Sequence, residues 1–172
     1  MTTFILYIAT SLDGYIAKPD GSIDWLPVPE SEADQGYAEF YASVDALVMG
    51  AATYEQVLGF GDWPYPGKPT YVLTQRDRTA PRADIRFCQS MSALLAATEP
   101  YQRVWLVGGG WLASAFMQQN LVDEYVVTLV PRILGAGISL YQSVPEIELE
   151  LMSAVPGALG LVTLHYQRAK QS

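Results

Sequence analysis

An apolar run, Val104-Trp105-Leu106-Val107, ends in three consecutive glycines, Gly108-Gly109-Gly110, and passes through Trp111 into a helix-like stretch at residues 112–119. Such a run, bounded by glycine, reads as a strand buried on both faces, which belongs in a largely parallel sheet covered by helices. The glycines add a second constraint, because a glycine turn lets a ligand approach the backbone with no side chain in the way. It also leaves free N–H groups at a helix N-terminus, where the helix dipole favours anions. Taken alone, the segment has two readings: a tight strand-to-helix connection, or a cradle for a phosphate-bearing cofactor. It is not the usual dinucleotide fingerprint, which places G-x-G-x-x-G in the first βα unit and an acid about 20 residues later.

The rest of the chain supplies the sheet around this strand. Short apolar runs at residues 4–9, 46–49, 70–73, 85–88 and 124–130 read as strands, with a brief resumption of the first at residues 15–17. Helices are expected at residues 31–43, capped by Ser31, after Thr53, and from Ser90 or Ser92 through Ala97. Residues 147–152 and 161–166, separated by Pro156-Gly157, suggest a closing hairpin. Strands alternate with helices over the first two-thirds and then follow one another without helices. That order predicts a mixed, mostly parallel α/β sheet with an antiparallel end. No linker or repeat divides the chain, so residues 1–172 read as a single domain.

Composition narrows the function classes. A net charge of −8 argues against nucleic acid and anionic membrane as partners. No apolar run is long enough to span a bilayer, and Met1-Thr2-Thr3-Phe4 has no basic leader, so a cytoplasmic protein is expected. The lone Cys88 sits beside Ile85 and Phe87 and reads as a buried, inert thiol. One histidine, His165, and one cysteine make a zinc site improbable, and no metal is expected. The G-x-S-x-G elbow of a serine hydrolase is absent.

Two further strand ends repeat the logic of the triple glycine. Leu47-Val48-Met49-Gly50-Ala51-Ala52-Thr53-Tyr54 again runs from buried strand to glycine to helix start. Two helix N-termini at neighbouring strand ends suit the two phosphates of a pyrophosphate. Leu73-Thr74-Gln75-Arg76 places a hydroxyl, an amide and a guanidinium at the same sheet edge. Parallel sheets bind ligands there, and arginine pairs bidentately with phosphate.

These blocks, in this order, resemble the dihydrofolate reductase-like superfamily. They are more similar to the reductase domain of the bacterial riboflavin-pathway deaminase–reductase and its stand-alone relatives. The matching pieces are Ser11-Leu12-Asp13-Gly14-Tyr15-Ile16-Ala17, residues 44–50 with Thr53-Tyr54-Glu55, Tyr71-Val72-Leu73-Thr74, residues 106–110, Leu121-Val122-Asp123-Glu124 and residues 131–137. The resemblance implies a three-layer α/β/α fold with an eight-stranded mixed sheet. It implies a reductase that transfers hydride from NADPH to a reduced-pterin-like or ribosylaminopyrimidine-like substrate. Ala9 and Ile16 would then border the nicotinamide. Gly50, Ala51, Ala52, Thr53 and Tyr54, with Gly108, Gly109, Gly110, Trp111 and Leu112, would carry the phosphates, and Val107 would also contact the cofactor. Leu73, Thr74, Gln75 and Arg76 would hold the adenosine end. Relatives of this type often dimerise through the part of the sheet near residues 131–141, so a homodimer is expected.

The chain departs from the pattern at two points. Relatives commonly carry a basic residue directly after the glycine matching Gly50, where this chain has Ala51 and then Ala52. Dihydrofolate reductases carry arginine directly after the triple glycine, where this chain has Trp111. Arg76 is then the best remaining contact for a 2′-phosphate, with Arg78 second. Weak discrimination between NADPH and NADH follows.

On the substrate side, Asp34 is the main chemical candidate. Its spacing before Gly50 matches the buried acid of bacterial dihydrofolate reductases, where a carboxylate hydrogen-bonds an aminopyrimidine ring and assists its protonation. The competing reading is a helix-start acid that favours the dipole, as Glu30 and Glu32 nearby would. Asp13 is either a substrate contact or an organiser of its own turn. Trp25, Tyr37 and Phe40 are candidates to stack on a flat heterocycle, or else core residues. Trp63 and Tyr65, in a Gly/Pro-rich loop, are expected to be exposed, covering the site or meeting a partner subunit. The leading expectation is an NAD(P)H-dependent reductase. The alternatives are dihydrofolate reductase itself and a nucleotide-binding module without efficient chemistry.

Overall fold

Thr3–Ser11 forms the central strand β1, whose alternating side chains divide between two helix layers. A computed structural model describes residues 1–27 and 36–170. After β1 come β2 (Tyr15–Ala17), α1 (Tyr37–Ser43), β3 (Ala46–Gly50), α2 (Ala51–Leu58), β4 (Thr70–Leu73), β5 (Ile85–Cys88) and α3 (Met91–Thr98). Then follow β6 (Arg103–Gly108), α4 (Gly110–Gln118), β7 (Glu124–Val130), β8 (Ile138–Ser139), β9 (Leu149–Pro156) and β10 (Val162–Arg168). Eight strands make one sheet in the order β5-β4-β3-β6-β1-β7-β10-β9. The strands from β5 to β7 are parallel, and β10 runs antiparallel to both β7 and β9. The mixed sheet with an antiparallel C-terminal end is therefore the one expected from the alternation of elements.

The two faces are distinct. Phe4, Leu6, Val48 and Leu106 pack with Leu94 of α3 and with Leu112, Ala113, Phe116 and Met117 of α4. Ile5, Leu47 and Trp105 on the other face meet Tyr37, Phe40 and Tyr41 of α1. Beside them, Met49, Val72 and Ile85 meet Tyr54 of α2. Strand residues buried on both sides require helices on both sides, which explains why the central runs read as continuously apolar.

The structure departs from the sequence reading in several places. Helix α2 starts at Ala51 with Gly50 as its N-cap, so Thr53 lies inside the first turn and caps nothing. Helix α4 starts at Gly110, two residues earlier than expected. Strand β8, which two residues are too short to announce, pairs with β2 to form a separate two-stranded sheet. Finally, Trp63 and Tyr65 are half-buried: Trp63 Nε1 donates to the Tyr65 carbonyl at 3.1 Å, and the Tyr65 ring meets Trp105 edge-on at 5.4 Å. Aromatic rings of the 59–68 loop thus close over the sheet beside α1, because the Trp105 ring that Phe40 and Tyr41 meet still offers apolar surface to Tyr65. Burial, reinforced by the neighbouring Tyr41, pushes the Tyr65 hydroxyl up to about 12.

The helix expected at residues 31–43 instead begins at Tyr37, with Gly36 in the left-handed conformation as its N-cap, while Ser31 and Asp34 lie outside the described residues. Cys88 is buried, and burial pushes its thiol up, away from the reactive thiolate. Among the described residues, no helix is long and apolar enough to cross a membrane.

Candidate functional site

The parallel strands β1, β3, β4 and β6 stop along one edge of the sheet, and a cleft of about 1300 Å³ opens over their C-terminal ends. That volume exceeds the range typical of drug-sized ligands and suits an extended one. Ala9, Ile16, Gly50, Ala51, Ala52 and Thr53 line it, as do Leu73, Thr74, Gln75 and Arg76, and Val107 through Leu112. Three strand ends distant in sequence thus meet at one surface, through strand pairings such as Gly50 beside Leu73 and Met49 beside Gly108. Tyr54 is the exception among the residues expected there. It is buried against Trp63 and Phe87 on the far side of α2, because its place in the helix turns it toward the sheet.

The helices that reach the cleft differ at their starts. Ser90 caps α3 with its own hydroxyl, which accepts from Ala93 N at 3.1 Å. Helices α2 and α4 have glycine N-caps, Gly50 and Gly109, with no side-chain acceptor. Their first-turn N–H groups therefore remain available to a ligand anion. The residues present fit a pyrophosphate flanked by two planar rings, since two such helix starts lie in one long cleft.

The three glycines have separate reasons. Gly108 adopts a φ of 129°, which side-chain-bearing residues rarely reach, and its peptide bond to Gly109 is cis. Gly110 packs directly against β8. A Cβ there would stand 2.7 Å from Gln142 Nε2 and closer still to the Ser139 carbonyl oxygen. Its glycine requirement comes from the fold, while Gly109 faces only the Thr53 hydroxyl, 3.3 Å from an added Cβ.

Charge in the cleft is sparse. Arg76 is the only cation and Asp20 the only anion among the described lining residues. Arg78, the second arginine considered, is held by Glu55 in an ion pair and does not line the cleft. Arg76 makes no ion pair among the described residues.

The candidate substrate residues separate from this cleft. Trp25 is 3% exposed and packs with Val130 and Leu161. Phe40 stacks on Tyr7 at 4.0 Å, and Tyr37 packs edge-on against Trp105 at 5.9 Å. None of the three lines the cleft. His165, on β10, pairs with Glu124 at 3.2 Å, away from the strand ends that form it.

Asp13 organises its own turn. Its carboxylate accepts from Ser11 Oγ at 2.6 Å, Leu134 N at 3.1 Å and Gly135 N at 2.8 Å. These donors, Ser11 foremost and then Gly135 and Leu134, outweigh desolvation and hold the carboxyl below its ordinary value of 3.8. Because the folded pKa is depressed, the stabilisation is complete above the unfolded value and is lost as pH falls through the folded one. Asp13→Asn should therefore lower the melting temperature most at neutral pH. The gap from wild type should close below about pH 4, as followed by circular dichroism melts between about pH 3 and pH 7.

Several lining residues gave no sequence signal. Gln89 and Met91 flank the start of α3, Ala115 and Gln119 lie on or just beyond α4, and Ile138 and Gln142 come from the β8 segment. Gln56 also lines the cleft, and its side chain ties α2 to the Gly21 carbonyl at 3.0 Å. Only the i, i+4 spacing of Trp111, Ala115 and Gln119 was available to find any of them.

Comparison with known proteins gives a consistent family. The RibD C-terminal domain family matches residues 2–162. The uncharacterized protein YwjB of Bacillus subtilis is 38% identical, over 96% of this chain and 97% of its own length. The riboflavin biosynthesis protein RibD of Mycobacterium tuberculosis is 24% identical over 79% of this chain, which corresponds to 44% of that longer protein. The crystal structure of a Shewanella sp. PV-4 protein, named for riboflavin biosynthesis, superimposes with a TM-score of 0.87 at 30% identity, covering 98% of this chain and 100% of that one. RibD of Acinetobacter baumannii shares the fold, with a TM-score of 0.75 at 19% identity over 98% of this chain and 58% of its own.

Proposed function

The chain belongs to the RibD C-terminal domain family, and from that premise we propose that it is an NAD(P)H-dependent reductase acting on a pyrimidine- or pterin-like heterocycle, such as a ribosylaminopyrimidine of riboflavin biosynthesis. The observation that carries this reading is the single long cleft into which two glycine-capped helices, α2 and α4, open beside Arg76. Gly50–Thr53 and Gly108–Leu112 hold the pyrophosphate through backbone N–H groups. Leu73–Arg76 hold the adenosine end. Ala9, Ile16 and Val107 border the nicotinamide, where their apolar side chains exclude water. When bound, the reduced nicotinamide supplies the hydride, and the chain supplies position and a proton. Asp34 is the proposed proton source, hydrogen-bonded to the heterocycle.

Fluorescence titration with NADPH and NADH, followed by a panel of pyrimidine and pterin substrates monitored for cofactor oxidation, tests the reading. Binding and turnover are expected. Asp34→Asn should lower turnover and leave cofactor binding unchanged, and wild-type turnover in that variant removes Asp34 from the chemistry. The absence of a cation at Ala51 and at Trp111 supports a second reading, a nucleotide-binding module, and cofactor binding with no turnover on any substrate would favour it.

A further inference from the structure

Trp111 stands apart from the other tryptophans. Trp25 is buried, Trp63 packs against Tyr54 and Tyr65, and Trp105 is the centre of an aromatic cluster. Trp111 is 67% exposed on the first turn of α4 and has no aromatic partner among the described residues, yet it lines the cleft. Trp111, Ala115 and Gln119 recur at helical spacing and form one wall. The small side chain of Ala115 leaves room beside the indole. The same cleft is bordered by Gln75 and Gln89, whose side-chain amides suit the edge of a planar ring, by the Arg76 guanidinium and by the Met91 thioether.

Side-chain cations contribute little to the affinity for an anionic dinucleotide. The chain carries a net charge of −8, and Arg76 is the one cation among the described lining residues. The net negative charge disfavours an anionic ligand at long range, so the N–H groups of the two helix starts and other short-range contacts carry the binding. An exposed indole on the wall of the cleft supplies such a contact, because stacking needs only the π-face of a base.

We propose that Trp111 is the stacking platform for the adenine ring of the cofactor, replacing by π-contact the affinity that a cation at this position would draw from phosphate. This rests on the dinucleotide reading of the cleft. It makes binding depend on the base that NADPH and NADH share, so Trp111 strengthens both alike.

The test uses isothermal titration calorimetry of NADPH, NADH and ADP-ribose against wild type, Trp111→Ala, Trp111→Leu and Trp111→Phe, with melting temperatures as a check on folding. Trp111→Ala and Trp111→Leu should weaken all three ligands about ten-fold. Trp111→Phe should recover most of the loss, since it restores a ring where leucine restores only bulk. Tryptophan emission should be quenched by ADP-ribose in the wild type and much less in Trp111→Phe. Wild-type affinities in Trp111→Ala overturn the stacking proposal and leave the cofactor cleft standing. Full recovery by leucine overturns it in favour of simple apolar cover. A change in sedimentation from dimer to monomer with affinities unaltered overturns it in favour of a contact between copies. If the wild type binds none of the three ligands, the reading of the cleft itself fails.

Discussion

Replacing Gly110 by alanine should destabilise the protein by about 3 kcal/mol, the upper part of the range for overpacking a tight site. For a chain of this size that lowers the melting temperature by roughly 6–12 °C. The added Cβ would stand 2.7 Å from Gln142 Nε2 and nearer still to the Ser139 carbonyl oxygen. A side-chain amide can swing aside, but the carbonyl belongs to β8. That strand is tied to β2 through Tyr15–Ser139 and Ala17–Ile138 pairing, and to α4 through Ser114 Oγ, which donates to the Leu140 carbonyl at 3.1 Å. Relief therefore moves the two-stranded sheet, and with it Ile16 and Ile138, which line the cleft. Dinucleotide affinity should fall together with stability. Gly109→Ala provides the contrast. Its backbone has a φ of −74°, and the added Cβ would meet only the Thr53 hydroxyl at 3.3 Å. It should cost less than about 1 kcal/mol, within the range of a mild packing change. Thermal melts of the two variants, with a cofactor titration of each, check the asymmetry. Equal melting temperatures for both would show that β8 yields freely.

Arg76→Ala should weaken NADPH by about ten-fold or more and leave NADH nearly unchanged. A hydrogen bond to a charged group contributes about 1.5–3 kcal/mol, and 1.4 kcal/mol is a factor of ten. Specificity for the 2′-phosphate rests on one residue because the others are absent or occupied. Ala51, Ala52 and Trp111 carry no charge, and Arg78 is engaged by Glu55. The wild-type preference for NADPH should accordingly be modest, near ten-fold, and Arg76→Ala should abolish it. Steady-state kinetics or calorimetry with both cofactors measures this directly. A wild-type preference above about a hundred-fold would require a second cation. The proposed contributions of Arg76 and Trp111 are separable by experiment: loss of the arginine should alter the preference between the two cofactors, whereas loss of the indole should weaken both.

Much of the scaffold was legible in the residues. The strands at residues 46–49, 70–73 and 85–88 emerge with nearly the expected bounds, because apolar residues dominate each run, with Arg86 the exposed exception on edge strand β5, and glycine or polar turns close them. Ser90 caps α3 as its position suggested. Helix starts were read less well where glycine, rather than serine or threonine, is the N-cap. Thr53 looked like a cap for α2, but the helix begins at Ala51, since the chain leaves β3 already committed to the turn at Gly50. The aromatic residues were the least legible. Tyr37, Trp63 and Tyr65 offered an apolar face and a polar tip, and Phe40 an apolar face alone. Which of them meets a ligand and which meets Trp105 depends on a strand about forty residues or more away.

By itself the sequence determined the alternation of strands and helices, the glycines at two strand ends and the loss of cations at Ala51 and Trp111. All of these are local: side-chain periodicity, backbone freedom and charge are properties of a residue and its near neighbours. The tertiary structure alone decided that Gly110 is required by Ser139 and that Asp13 clasps the turn at Leu134 and Gly135. It alone decided that Arg78 is tied up while Arg76 makes no ion pair among the described residues, and that Met91, Ala115 and Gln142 line the same cleft as Trp111. Each of these is a meeting of segments far apart along the chain. Such meetings follow from how the layers pack, which no window of sequence contains.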